Sequence, residues 1–278
     1  MLQKAEAMFL ITRPVNAFIG GLSVALGIIL AKPVSWSLQA TLAMISAVSI
    51  LAGANVINDY FDLEIDRINR PQRILPSGRM TRREALLLAI ILFATGNFFS
   101  IFAGIQLFGL AAFTTSLLVL YSALLKKQPL SGNVVVSFVS GAAFVYGALA
   151  GGNWQAGIAP AVFAFLFHFG REIIKDIEDR LGDSRDGART LPIVYGITTA
   201  RVVASSAFIF LLICTLVPFA FDVYNQTYLA IILAGVYPVV FYSLWKMWKD
   251  PSVASMRRLS AILKADMLVG LAAIYFGR

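Results

Sequence analysis

Two groups of oxygen-bearing side chains carry the spacing that chemistry would need. The first lies in ANVINDYFDLEIDRINRPQRILPSG and holds Asn55, Asn58, Asp59, Asp62 and Asp66. A helix turns about 100° per residue, so steps of four drift by only ~40° and Asn58, Asp62 and Asp66 share one face. Asn55 joins that face and Asp59 lies at its edge. The second group is Asp176, Asp179 and Asp183 in REIIKDIEDRLGD, again on one face, with Glu172 one turn earlier. Both groups follow long apolar runs, where carboxylates are costly and a functional reading is the default. Acids gathered without compensation repel one another and raise each other's pKa, and a divalent cation relieves that repulsion. The donors are oxygen throughout, and the chain has one cysteine and one histidine, a set that suits Mg²⁺ rather than zinc. Mg²⁺ held this way bridges one or two carboxylates to a phosphate and keeps several waters. Candidate phosphate partners are Arg70, Arg73, Lys126, Lys127, Arg171, Lys175 and Arg189.

The elements that must position these residues are membrane helices. Of 278 residues, 59% are hydrophobic and 14% charged, against roughly 25% charged in a soluble domain. The mean hydropathy is +0.78. A pass at about 20 residues per span gives nine helices, at roughly 14–31, 38–60, 84–104, 107–125, 133–151, 155–173, 199–220, 226–246 and 259–276. With the N-terminus cytoplasmic, every lysine and arginine except Lys32 and Arg278 falls in an inner segment. That asymmetry supports the count and the orientation. It also explains the net charge of +8 without a nucleic-acid partner. Lys4 and Arg13 before an apolar run imitate a signal peptide, but the run is about 18 residues long and reads as a retained span. The chain, 1–278, reads as a single transmembrane domain.

Other features have plainer readings. Cys214 is a small core residue that can form no intrachain disulfide. His168 sits on an apolar face and reads as core. Gly147 and Gly151 make a GxxxG that signals close helix packing. Glu178 and Asp186 read as a solvated helix end. The inner segments after spans two and six are weakly alike, DLEIDRINRPQRILPSG against DIEDRLGDSRDGARTLPIVYG, as an internal duplication would leave them. Intramembrane carboxylates could also mark a cation-coupled transporter, but these sit at the cytoplasmic mouth rather than mid-span.

NDYFDLEID resembles the NDxxDxxxD signature of the UbiA superfamily of intramembrane prenyltransferases, and DRLGD supplies a second DxxxD as Asp179 and Asp183. Arg13-Pro14 with Asn16, INRPQR…PSG, YSALLKK with Tyr121 and Lys126, and GARTLPIVYG extend the resemblance over essentially the whole chain. It implies an all-α polytopic protein with nine transmembrane helices around a central cavity. It also implies Mg²⁺ at both aspartate motifs and a prenyl diphosphate donor. Ionisation would give an allylic cation whose C1 is attacked by an acceptor. Carried over by position, Asn58, Asp59, Asp62, Asp66, Asp179 and Asp183 are metal and diphosphate groups, with Asp176 an additional candidate, and Arg70 and Lys126 hold the diphosphate. Tyr121 to Lys126 is one residue longer than the commonest family spacing, which leaves open which lysine binds. REIIKDIED and DRINRPQRILPSGR look most like archaeal-type geranylgeranylglyceryl phosphate geranylgeranyltransferases, whose acceptor is a glycerol hydroxyl beside a phosphate. Aromatic and chlorin prenyltransferases share much of the same text and stand as the alternative.

Overall fold

The computed structural model describes residues 2–32, 36–185 and 187–278. The elements in order are α1 (Leu2–Ile11), α2 (Pro14–Leu30), α3 (Leu38–Phe61), α4 (Leu63–Asn69), α5 (Arg82–Ala103), α6 (Ile105–Ala123) and α7 (Ser131–Ala150). They continue with α8 (Ile158–Arg185), α9 (Leu191–Val194), α10 (Gly196–Ala220), α11 (Gln226–Ile231), α12 (Tyr237–Lys249) and α13 (Val253–Gly277). Among the described residues there is no strand. Apolar chains in lipid must satisfy their backbone within each segment, and helices do so. Among the described residues eight helices are long and apolar enough to cross a membrane, or nine if the bent pair α1–α2 counts as one span.

Two compact units emerge. The first runs up to Leu125 and adds Ala143–Gly157. Here α3 packs along α5, with α2 and α6 also against it. Ser37 caps α3 by accepting from the Ala40 N–H at 3.1 Å. A capping box starts α5: Thr81 Oγ1 accepts from the Glu84 N–H, and the Glu84 carboxylate accepts from the Thr81 N–H. Gly104 alone joins α5 to α6, at φ 141, a backbone angle that residues with a Cβ avoid. The GxxxG reading holds. A Cβ on Gly147 would strike the backbone of Val24 on α2, and one on Gly151 would lie 2.8 Å from the Ile28 carbonyl oxygen.

Sequence reading placed the first span at 14–31, but α2 has 17 residues, about 25 Å, short of a ~30 Å hydrocarbon core. It is extended by α1 across a bend of 47°. The bend is encoded by Arg13-Pro14. A residue before proline is kept out of the helical region, Arg13 takes φ 51, and Pro14 begins α2 where its missing N–H costs nothing.

The second unit comprises Lys126–Ala142 and Ile158–Arg278. In it α8 packs on α10 and α13, and α11 and α12 pack on α13. The sequence reading ended the sixth span near 173, whereas α8 runs unbroken for 28 residues to Arg185, about 42 Å. Leu, Lys, Glu and Arg propagate a helix well, so the ladder continues through the acids and carries them out of the apolar layer on one rigid rod. The span at 226–246 is interrupted by a π-turn over Ile232–Val236. It directly precedes Tyr237-Pro238, where proline withholds a ladder N–H.

Replacing Gly147 by leucine should lower the melting temperature of the detergent-solubilised protein, since overpacking costs about 1–3 kcal/mol or more. Gly109→Ala, whose added Cβ meets nothing within 4 Å, should leave it unchanged or raise it. Equal melting of the Gly147 variant and wild type would contradict the packing described.

Candidate active site

The first acid group sits where α3 meets α4. The column is not one continuous helix, because Asp62 (φ −85, ψ 0) breaks it. The i→i−4 bonds nonetheless bridge the break, from the Asp62 N–H to the Asn58 carbonyl at 2.9 Å and from the Asp66 N–H to the Asp62 carbonyl at 2.8 Å. The shared face is therefore kept. Asp59 and Asp66 are buried, each 5% exposed. Arg73 joins them, 2.5 Å from Asp66 Oδ2 and 3.6 Å from Asp59 Oδ1. Asp59 also receives the guanidinium of Arg13. Asn58 Nδ2 donates to Asp62 Oδ2 at 2.8 Å.

The bend between α1 and α2 is built into this group. Asn55 Nδ2 donates to the Thr12 carbonyl at 2.9 Å, one residue before Arg13. The chain break supplies both the carbonyl that Asn55 holds and the cation that Asp59 needs. Asn55, expected to bind substrate from the face of Asn58 and Asp62, also secures the bend. Lys4–Glu84 at 2.5 Å and Arg79–Glu6 at 3.2 Å add exposed pairs along α1, which solvent screens.

The second group lies along α8. Asn133 Nδ2 on α7 donates to Asp176 Oδ2 at 2.8 Å. Buried Glu172 is paired with Arg171 at 2.8 Å and Lys175 at 3.5 Å. Lys175, expected to meet phosphate, also pairs with an acid of its own helix. The Arg189 N–H donates to the Lys127 carbonyl at 2.8 Å, which brings the lysine pair of YSALLKK to the loop that follows Asp183. Asn16, Arg70, Tyr121, Lys126, Asp179 and Asp183 all have interaction partners in the structure.

One reading is corrected. Glu178 is not a solvated helix end: it is 9% exposed and accepts from Arg257 Nε on α13 at 3.1 Å. Asp186, given the same reading, lies outside the described residues. Three residues escaped the sequence reading. Arg13 was noted as a basic residue before an apolar run and as part of a dipeptide, not as the partner of Asp59. Asn133 carries no motif of its own. Asp266 on α13 is 4% exposed, and no hydrogen bond reaches either of its carboxylate oxygens. Its signal was available as an acid inside an apolar run. His168 is half-buried, with its buried Nδ1 unpartnered.

Among the described residues no three acids converge closely enough to hold an ion by themselves. The donor chemistry still fits a hard divalent ion. Asp59 and Asp66 lie near enough to share one cation, every donor is oxygen, and such ions take few protein ligands and complete their shell with phosphate and water. In the present arrangement guanidinium groups supply that positive charge.

Burial pushes the Asp66 carboxyl above its ordinary range; Arg73 pulls it back, and Asp62 and Asp59 push it up again. A carboxyl raised in the folded state opposes folding when ionised. That cost is present above the folded pKa and fades as pH falls toward the ordinary value of 3.8. The melting temperature of the metal-free wild type should therefore gain on that of Asp66→Asn as pH falls from neutral toward the ordinary carboxylate range. A difference between the two that does not change with pH would contradict this.

Residues 21–265 match the model of the UbiA prenyltransferase family. The digeranylgeranylglyceryl phosphate synthase of Methanothermobacter thermautotrophicus is 36% identical over 271 residues, covering 96% of this chain and 94% of that protein. The synthase of the same name from Thermococcus kodakarensis is 37% identical over 269 residues, covering 96% of each. A solved structure described as giving insights into digeranylgeranylglyceryl phosphate synthase in membranes superposes with a TM-score of 0.81 at 29% identity, covering 99% of this chain and 98% of that one. A UbiA homolog from Archaeoglobus fulgidus bound to GPP and Mg²⁺ shares the fold, with a TM-score of 0.69 at 20% identity, covering 97% and 99%. The chain is thus an integral membrane prenyltransferase and belongs to the UbiA prenyltransferase family.

Proposed function

We propose that this protein transfers a geranylgeranyl group from its diphosphate to geranylgeranylglyceryl phosphate, forming the second ether bond of an isoprenoid membrane lipid with Mg²⁺ required. The observation that carries the reading is the oxygen cluster of Asp59, Asp62 and Asp66, compensated by Arg13 and Arg73 at the end of an apolar helix. Support for the acceptor comes from relatives of that name that match nearly the full length. The structure of a family member with GPP and Mg²⁺ supports the donor and the ion.

In this reading Asp59, Asp62, Asp66, Asp179 and Asp183 are the metal ligands, and Asn58 orients Asp62. When bound, Mg²⁺ supplies positive charge at the departing diphosphate. Arg73, Arg13, Arg70 and Lys126 are the cations that complete that charge, with Asn16 and Tyr121 as further contacts. Stabilising the leaving group lets the C1–O bond ionise, and charge held where it develops is the main lever on the rate. The apolar helices exclude water from the allylic cation. The acceptor oxygen bonds to C1 and releases its proton. In this reading the site opens to the cytoplasm, an orientation that the distribution of lysine and arginine supports.

Pyrophosphate release tests the reading. Purified protein given geranylgeranyl diphosphate and geranylgeranylglyceryl phosphate should release pyrophosphate only with Mg²⁺ and acceptor. Asp62→Ala should slow release by at least about a hundredfold. Release only with an aromatic or chlorin acceptor would move the enzyme to another pathway, and no release with any pair from folded protein would favour a transporter.

A further inference from the structure

We infer that Asp176 is the general base that takes the proton of the acceptor hydroxyl, and that Asn133 is the positioning residue that aims it. The inference rests on the lipid-ether reading above. Attack by a glycerol hydroxyl on the allylic cation differs from attack by a carbon nucleophile. The new C–O bond leaves a protonated ether oxygen, and that proton must go somewhere within the apolar layer. The step is balanced: the hydroxyl oxygen bonds to C1, the bond from C1 to the bridging oxygen breaks, diphosphate leaves with the electron pair, and the proton passes to a carboxylate.

The partners of each acid select the base. Glu172 is held by Arg171 and Lys175, Asp59 by Arg13 and Arg73, and Asp66 by Arg73. Asp179 and Asp183 are metal ligands in the proposed function. An anion bound to cations is a poor proton acceptor. Among the described residues Asp176 has no direct ion pair: Lys175 acts on it only through space, and its hydrogen bond comes from a neutral amide, Asn133 Nδ2 at 2.8 Å on Oδ2, which leaves Oδ1 for the substrate proton. An amide fixes a carboxylate without neutralising it.

Position along α8 agrees. Asp176 precedes Asp179 by three residues, about 4.5 Å along the axis, on the same face and toward the apolar part of the helix. With diphosphate held at Asp179 and Asp183, C1 lies on that side, because the chain attached to it enters the apolar layer. A base must reach within about 3 Å of the proton it takes, and one turn beyond the metal ligands is where that proton appears. The placement of Asn133 also has a sequence basis. Its carbonyl accepts from Ser137 Oγ at 2.6 Å, and the residue is buried on α7, so the amide is delivered from a fixed helix rather than from a loop.

The test separates ionisation of the donor from transfer. Full-length protein in detergent receives geranylgeranyl diphosphate labelled with ¹⁸O at the bridging position, with and without geranylgeranylglyceryl phosphate. Scrambling of the label between bridging and non-bridging positions reports ionisation; ether product reports transfer. Asp176→Asn should slow transfer by about 10²–10⁴-fold while scrambling stays within a few-fold of wild type. Asn133→Ala should lower kcat for transfer about tenfold without changing KM for the donor. Scrambling that falls in step with transfer in both variants would make Asp176 a diphosphate or metal group and overturn the inference. So would transfer by Asp176→Asn within threefold of wild type. Wild-type protein that scrambles the label but forms no ether would instead overturn the lipid-ether reading itself.

Discussion

A carboxylate placed at the end of an apolar helix must find a partner, and much of this structure answers that demand. Leaving a buried charge uncompensated costs about 3–5 kcal/mol. Asp59 has Arg13 and Arg73, Asp66 has Arg73, Glu172 has Arg171 and Lys175, and Glu178 has Arg257. The bend between α1 and α2 follows from the same need. Without it neither Arg13 nor the Thr12 carbonyl would be presented to the end of α3. Among the described residues Asp266 is the exception, buried without a hydrogen bond to either oxygen.

Compensation by guanidinium also prepares the chemistry. Arginine binds carboxylates and phosphates with the same planar fork of donors. An acid cluster balanced by arginine can exchange that balance for a divalent ion, leaving the arginines to meet the diphosphate that arrives with it. The acids are then never left unpaired, with or without substrate. The amide on Asp176 differs in kind. It satisfies a hydrogen bond but cancels no charge, and that difference gives this carboxylate a separate role.

The spans and both acid groups were legible in the sequence because each depends on a short period. Apolar runs reveal helices, and steps of three, four and seven reveal a shared face. The capping of α5 by Thr81 and Glu84 is equally local. The partners were not legible. Asn133 lies 43 positions from Asp176, Arg13 lies 46 from Asp59, and Glu178 lies 79 from Arg257. Nothing in a local pattern encodes such pairings. The sixth span was read as ending near 173, and charged residues do mark the edge of the apolar layer there; they do not end the helix, so α8 runs on to Arg185. The π-turn over Ile232–Val236, next to Pro238, was not read from the sequence.

The central claim is that the acid groups hold a divalent ion together with the diphosphate. Electron paramagnetic resonance of Mn²⁺ added to the detergent-solubilised protein with a non-ionising thiolo analogue of geranylgeranyl diphosphate tests it most directly. Wild type should bind Mn²⁺ when the analogue is present. Asp62→Asn and Asp179→Asn should each weaken binding at least about tenfold, while Glu64→Gln, an exposed acid paired with Arg67, should leave it unchanged. Mn²⁺ bound equally by all four proteins would contradict the account.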